Sequence, residues 1–269
     1  MTDMPLGLPP ILRDKHYDSP SAFTPESLLR EARRQKNVPH APIPEVCVLD
    51  PDGDIVRHLR ATGRARRTEG WACYHSEMDT FELGGREYGI VGCAVGAPYA
   101  VLLAEQMFAS GCRLLISITS SGQIRTLRPP PYFILIERAL RDEGTSCHYL
   151  APSGYAEADP ALIATIAEAL SRVGEPVERG TTWTTDAPYR ETERAIEAAR
   201  GKGILAVEME AAALYAFARA RGKAVICFAH VTNQMGQTGD FEKGQANGAI
   251  ASLSVIDSVA GVWLGRQPP

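Results

Sequence analysis

No two cysteines in this chain stand in CxxC spacing: Cys47, Cys73, Cys93, Cys112, Cys147 and Cys227 are scattered, several of them inside apolar runs. That pattern argues against a disulfide framework and against a redox motif, and it points to reduced thiols in a cytoplasmic protein. Cysteines and histidines also lack metal-ligand spacing, so no metal site is expected. No run approaches the roughly 18 apolar residues that span a bilayer, and the N-terminus carries no apolar h-region. The expectation is a cytoplasmic address with no membrane partner. There is no basic surplus either: net charge is −4 and the pI is near 5.9, which leaves nothing to attract nucleic acid. Repeats, low-complexity tracts and linkers are absent as well.

What is present is enough for one large core, with 269 residues of which 45% are apolar. Residues 1–23 are Pro-rich and aperiodic and read as an arm over the body or a partner subunit. Thr24-Pro25 opens a helix to about Asn37, with Thr as cap and Pro in the first turn. Residues 1–40 are thus an arm and helix, and 41–269 form the main domain. In it, 46–49 is a strand, 71–83 and 88–95 are strands joined at Gly84-Gly85, and Pro98 starts a helix to Ser110. Strands follow at 114–118, 132–136 and 181–185, with a helix from Asp159-Pro160 to about Arg172 and another over 191–199. A helix containing Glu208, a strand from Ala224 and a helix over about 243–264 complete the chain. Strands alternating with helices predict an α/β single domain, a mixed central β-sheet flanked by helices. Ligands collect at strand C-termini in such sheets, and the polar stretches Ser117–Gly122, Thr184–Asp186 and Thr232–Gln234 all follow apolar strands.

The most informative segment is Val207-Glu208-Met209-Glu210-Ala211-Ala212-Ala213-Leu214-Tyr215, which sets two carboxylates in a stretch that otherwise reads as buried helix. A buried carboxylate is costly unless something pairs with it, and the vicinal hydroxyls of a ribose suit one carboxylate well. Blander readings stand beside this one. Glu208 and Glu210 can be exposed first-turn acids at a helix N-terminus. Asp186 reads as a cap, Arg194 as part of a solvated helix face, and Ser120 and Ser121 as turn residues.

These segments, in this order, resemble the nucleoside phosphorylase superfamily from about residue 44 to 260, and within it most closely the uridine phosphorylases. The Val207–Tyr215 segment carries most of the likeness. The Gly92–Pro98 turn, Ile118–Ile124, Arg141–Ser146 and Thr184–Thr192 add to it. The resemblance implies cleavage of a nucleoside N-glycosidic bond, with phosphate attacking the anomeric carbon and no cofactor beyond phosphate as co-substrate. It assigns Glu210 and Met209 to the ribose, with Glu210 as the catalytic carboxylate. Ser121, Gly122, Thr192, Arg194 and Glu208 fall at the base. Thr192 stands where the family has a glutamine, and Asn233 stands where purine-specific relatives place an acid, which favours a pyrimidine. Gly96, Ser117, Ser120, Asp50 and Tyr74 fall at the phosphate or water site. The implied assembly is a homodimer or a hexamer built as a trimer of dimers.

At that last site the chain departs from the pattern. Arginines are expected in the Leu49–Asp54 loop, two residues before Thr119, and near Tyr74. The sequence supplies an acidic loop, Ser117 and Tyr74 instead. Phosphate is then held by other cations, with Arg64, Arg66, Arg67, Arg86 and Arg125 available, or water is the acceptor and the chain is a nucleosidase. Asp50, Asp52, Asp54, Glu77 and His75 are the candidates to activate that water. A degenerate, non-catalytic nucleoside binder is the third alternative.

Overall fold

The computed structural model describes residues 9–171, 174–235 and 241–266. The chain opens with α1 (Pro25–Lys36), β1 (Val46–Asp50), α2 (Asp54–Ala61), β2 (Ala65–Arg67), β3 (Asp79–Leu83), β4 (Arg86–Gly92) and α3 (Ala97–Ala109). It continues with β5 (Leu114–Gln123), β6 (Tyr132–Asp142), β7 (Tyr155–Glu157), α4 (Pro160–Leu170), β8 (Val177–Thr185) and α5 (Glu193–Gly201). Last come β9 (Ala206–Glu208), α6 (Ala211–Arg221), β10 (Ala224–Gln234) and α7 (Ala249–Arg266).

The strands form one mixed sheet in the order β10-β6-β8-β9-β5-β1-β4-β3-β2, with β7 on β6. Because β10 pairs with β5 as well as with β6, the β5, β10, β6, β8 and β9 strands close on themselves and leave no free edge there. The parallel pairs β1–β4, β1–β5 and β5–β10 bring the C-terminal ends of four strands together. Asp50 stands opposite Gly92, Leu49 opposite Ser117, and Ser120 opposite His230. The antiparallel pairing of β5 with β9, Gly122 opposite Val207, carries Glu208 to the same end of the sheet. α6 packs on α3 and on the sheet with every residue from Ala211 to Phe217 buried, and the small Ala side chains let it lie close. α4 and α2 pack on α7 on the other side.

Local chemistry accounts for most boundaries. Thr24 Oγ1 accepts from Ser27 N, and Asp159 accepts from Ala161 N and Leu162 N, so both cap-then-proline signals open helices. Gly84 and Gly85 both take positive φ (57° and 73°), which gives the two-residue turn joining β3 to β4. Other boundaries differ from expectation. Residues 71–78 are not strand, and Trp71 Nε1 donates to Ser76 Oγ across the loop they form. β5, β6, β8 and β10 run longer than their apolar stretches, because the pairings around the closed part of the sheet carry the polar residues along. α5 starts at Glu193 because Thr192 Oγ1 accepts from Ala195 N. α7 starts at Ala249, after a segment turned by Gly244 and Gly248 at φ 83° and 82°. α2, β2, β7 and β9 have no counterpart among the expected elements, and Glu208, expected within a helix, ends β9, with α6 starting only at Ala211. The described part of the arm lies over the body near residues 144–149, where Tyr17 OH donates to the Cys147 carbonyl. Residues 1–8 lie outside the described range.

Candidate active site

Glu208 and Glu210 flank the turn from β9 into α6, and the turn gives them different tasks. Glu208 is 3% exposed and has all its oxygens engaged. Its Oε1 accepts from Thr182 Oγ1 (3.1 Å) and Thr184 Oγ1 (2.5 Å), and its Oε2 accepts from the backbone N–H groups of Glu210 and Ala211 (2.7 Å each). Thr184 Oγ1 in turn accepts from Ala212 N at 2.9 Å. Glu208 is therefore the bracket that satisfies the first N–H groups of α6 and ties them to β8. Two donors thus sit on each of its oxygens, in place of the base expected there.

Glu210 is 1% exposed and far less satisfied. Oε1 accepts from Gly96 N at 2.7 Å, while Oε2 is buried with no hydrogen-bond partner. Burial, then the Glu208 charge, pushes its carboxyl up to about 8, against the pull of the Gly96 N–H and the Thr119 hydroxyl. Burial raises Glu208 too, but its four donors oppose that. Four donors on Glu208, against the Gly96 N–H and the Thr119 hydroxyl on Glu210, favour ionisation at Glu208 first. An unpaired buried carboxyl oxygen costs free energy in the empty protein, and a ligand that donates to it recovers that cost. Met209, between them, is half-buried. Ser117 Oγ and Ser121 Oγ, on the neighbouring β5, are also buried without partners. Gly96 ends the β4–α3 turn at φ 93°, which lets its N–H aim at Glu210.

The acidic loop meets this group from the other side. Asp50 is 2% exposed and shapes the loop: Oδ1 accepts from Gly53 N (3.1 Å) and Oδ2 from Val56 N (2.9 Å). Burial, together with the Asp52 and Asp54 charges and against those N–H groups, raises Asp50 to about 7. Asp52 Oδ2 accepts from Ser120 N at 3.1 Å. Lys243, from the segment before α7, places Nζ 2.6 Å from Asp54 Oδ2 and 3.6 Å from Asp52 Oδ2. Asp54 Oδ1 also takes Arg57 at 2.7 Å. Burial raises and these two cations lower the Asp54 carboxyl, and the net shift is downward. His230 stacks on Phe133 (4.6 Å, 15°), and burial with the Lys243 charge holds it down to about 4, so it is neutral.

The other expected site residues scatter. Gly122 is needed for packing, because a Cβ there would lie 2.1 Å from Met235 Sδ. Thr192 is exposed and caps α5, and Arg194 is exposed on the first turn of that helix with no ion pair or hydrogen bond among the described residues. Asp186 does not cap α5; its Oδ2 accepts from Gly144 N at 2.9 Å. Tyr74 is 37% exposed, its ring 6.3 Å from that of His75. Among the surrogate cations, Arg66 pairs with Glu87, Arg67 with Glu77 (2.7 Å) and Arg86 with Asp257 (3.1 Å), which commits them to the β2–β4 side of the fold. Glu77 is thereby spent on Arg67. Arg64 and Arg125 are exposed. Sequence reasoning missed Thr182 and Thr184 as the donors to Glu208 and missed Lys243 altogether. A lysine 189 residues from its carboxylate partner leaves no local signal.

Among the described residues no helix is long and apolar enough to cross a membrane, and no cluster of His, Cys, Asp or Glu is arranged to hold a metal. The family model of the phosphorylase superfamily matches residues 45–260. A uridine phosphorylase from Thermococcus kodakarensis is 26% identical over 219 residues, covering 71% of this chain and 79% of that protein. A DeoD-type purine nucleoside phosphorylase from Colwellia psychrerythraea is 27% identical over 158 residues, covering 58% and 67%. The crystal structure of uridine phosphorylase from Vibrio fischeri ES114 superposes with a TM-score of 0.69 at 19% identity, covering 83% of this chain and 95% of that one, a likeness of fold. With the family model spanning the sheet and both carboxylates at the β9–α6 turn, the chain belongs to the phosphorylase superfamily.

Proposed function

We propose that this protein cleaves the N-glycosidic bond of a nucleoside, of the uridine type, releasing the free base. The observation that carries this reading is Glu210 Oε2, buried without a partner while Oε1 is held by Gly96 N. When ionised, that carboxylate accepts from the 2′ and 3′ hydroxyls. It also stands close to the positive charge that develops on the ribose as the C1′–N bond breaks. The base leaves with the bonding electron pair, and an acceptor oxygen adds to C1′. Asn233, half-buried at the end of β10, is no acid, so a base that leaves without protonation by a side chain fits best. The chain works as a cytoplasmic homo-oligomer, a dimer or trimer of dimers.

The charges near Ser120 favour water over phosphate. Asp52, Asp54 and Asp50 stand there against Lys243 and Arg57. Asp52 Oδ1 takes no hydrogen bond among the described residues and is free to receive the water proton as the water oxygen bonds to C1′. Phosphorolysis to ribose 1-phosphate is the second reading, and Lys243 is the cation that favours it. The test is incubation over a nucleoside panel with and without phosphate, followed by identification of the sugar. Free ribose at equal rates in both arms is expected, and ribose 1-phosphate formed only with phosphate would move the assignment to the second reading. Absence of any product, with nucleoside binding by calorimetry, would sink both and leave a binder.

The raised Glu210 carboxyl gives a pH profile. A group whose folded pKa lies above its ordinary value is protonated until the pH passes that folded value, near 8 here. Since the ionised form grips the diol, kcat/KM is expected to rise by about tenfold per pH unit toward 8 and then level off. A profile flat from pH 6 to 9 would count against Glu210 as the ligand group.

A further inference from the structure

At the C-terminal end of the β5–β10 pair a backbone N–H and an ammonium face one oxygen, the first as a hydrogen-bond donor and the second as an ion pair. Ser120 N lies 3.1 Å, and Lys243 Nζ 3.6 Å, from Asp52 Oδ2. A backbone N–H beside an ammonium is the donor set an oxyanion takes. Here a side chain of the same chain already takes it. The arrangement is built in. Asp50 holds the loop through Gly53 N and Val56 N, and Gly53 sits at φ 76°, where a Cβ would meet Cys93 Sγ at 2.7 Å and Arg57 Nη1 at 2.8 Å. Arg57 further fixes the loop by donating to the Asp52 carbonyl at 2.7 Å. Arg57, on α2, is likewise spent on Asp54.

We propose that Asp52 is the acceptor-selecting residue of this site: its carboxylate occupies the Ser120 N–H, stands as a second negative charge against Lys243, and so bars phosphate, which keeps the acceptor position for water. This rests on the nucleoside-cleaving reading and assigns its acceptor. A tethered carboxylate competes at a high effective concentration against a dissolved anion, so phosphate must displace it from the Ser120 N–H and from beside Lys243. Phosphate would also add two negative charges beside Asp52 and Asp54, whose own charges Lys243 and Arg57 already balance. Removing the Asp52 carboxylate frees the Ser120 N–H and takes away one of the two carboxylates that face Lys243.

The experiment is phosphate binding by calorimetry, which needs no turnover, on the full chain and on Asp52→Ala, Asp52→Asn and the double variant Asp52→Ala/Lys243→Met. The expected order is no saturable binding of inorganic phosphate by the parent at millimolar concentrations, and binding at least about tenfold tighter by Asp52→Ala. Asn, whose carbonyl oxygen still accepts from Ser120 N, falls between, and the double variant returns to the parent level. On nucleoside, Asp52→Ala should lose ribose formation and gain phosphate-dependent ribose 1-phosphate. Saturable phosphate binding by the parent, or equal binding in all folded variants, overturns the proposal. Should Asp52→Ala not fold, the parent and Asp52→Asn still decide it by the same criterion. An inactive parent would sink the nucleoside-cleaving reading without touching the binding order.

Discussion

Glu210→Ala is expected to fold and to lose at least about a thousandfold in kcat/KM on any nucleoside the parent cleaves. The group removed is the acceptor for the ribose hydroxyls and the negative charge nearest the developing cation, so ground-state binding and the transition state both suffer. Glu210→Gln separates this from a packing effect. It keeps the acceptor for Gly96 N and nearly the same volume, yet it cannot carry the charge. The expected loss remains large, of the order of a hundredfold or more. Stability should move the opposite way. The folded Glu210 carboxyl titrates near 8 and the unfolded one near 4.5, so its stabilising contribution is complete below 4.5 and is lost as the pH rises through 8. Glu210→Gln never ionises. Its melting temperature should match the parent near pH 4.5 and exceed it by several degrees at pH 9. An inactive variant with no alkaline gain would mean that Glu210 is not the buried, strained acid described here.

That strain was half legible in the sequence. Two acids ahead of Ala211-Ala212-Ala213 and before an apolar strand mark costly carboxylates, and the motif also gives the α/β fold. The segment does not reveal which acid is satisfied. That depends on Thr182 and Thr184, which reach Glu208 only because β8 runs parallel to β9 with Thr184 opposite Glu208. Arg194 shows the other side of this. Its spacing from Asp186 matches a base contact, but Thr192 starts α5 and turns the arginine outward to solvent. The missing arginines were readable as a change of residue type. How the replacing residues are arranged was not, because Asp52, Ser120 and Lys243 meet only once β1, β5 and β10 lie side by side. Local caps and turns are written in adjacent residues, whereas partners across a sheet are written in its register.

The division of labour between the two acids gives the second large effect. Glu208→Ala removes the acceptor for four donors at once, two of them the opening N–H groups of α6 and two the hydroxyls of Thr182 and Thr184. The expected cost is on the order of 3–5 kcal/mol, enough to unfold a marginal domain at moderate temperature, read as a lower denaturant midpoint. Glu208→Gln should recover much of that loss, since its carbonyl oxygen still accepts and only one arm of the bracket is wrong. It also removes the charge that helps push Glu210 up. The rise of kcat/KM with pH should therefore shift toward acid in Glu208→Gln, with the plateau reached below 8. A base-contacting Glu208 predicts something else: altered KM and altered choice among bases, with an unchanged midpoint and an unchanged pH limb. If Glu208→Gln melts like the parent and changes only base preference, the bracket is wrong. A lower midpoint with an acid-shifted limb, by contrast, requires that Glu208 act on the sugar only through Glu210.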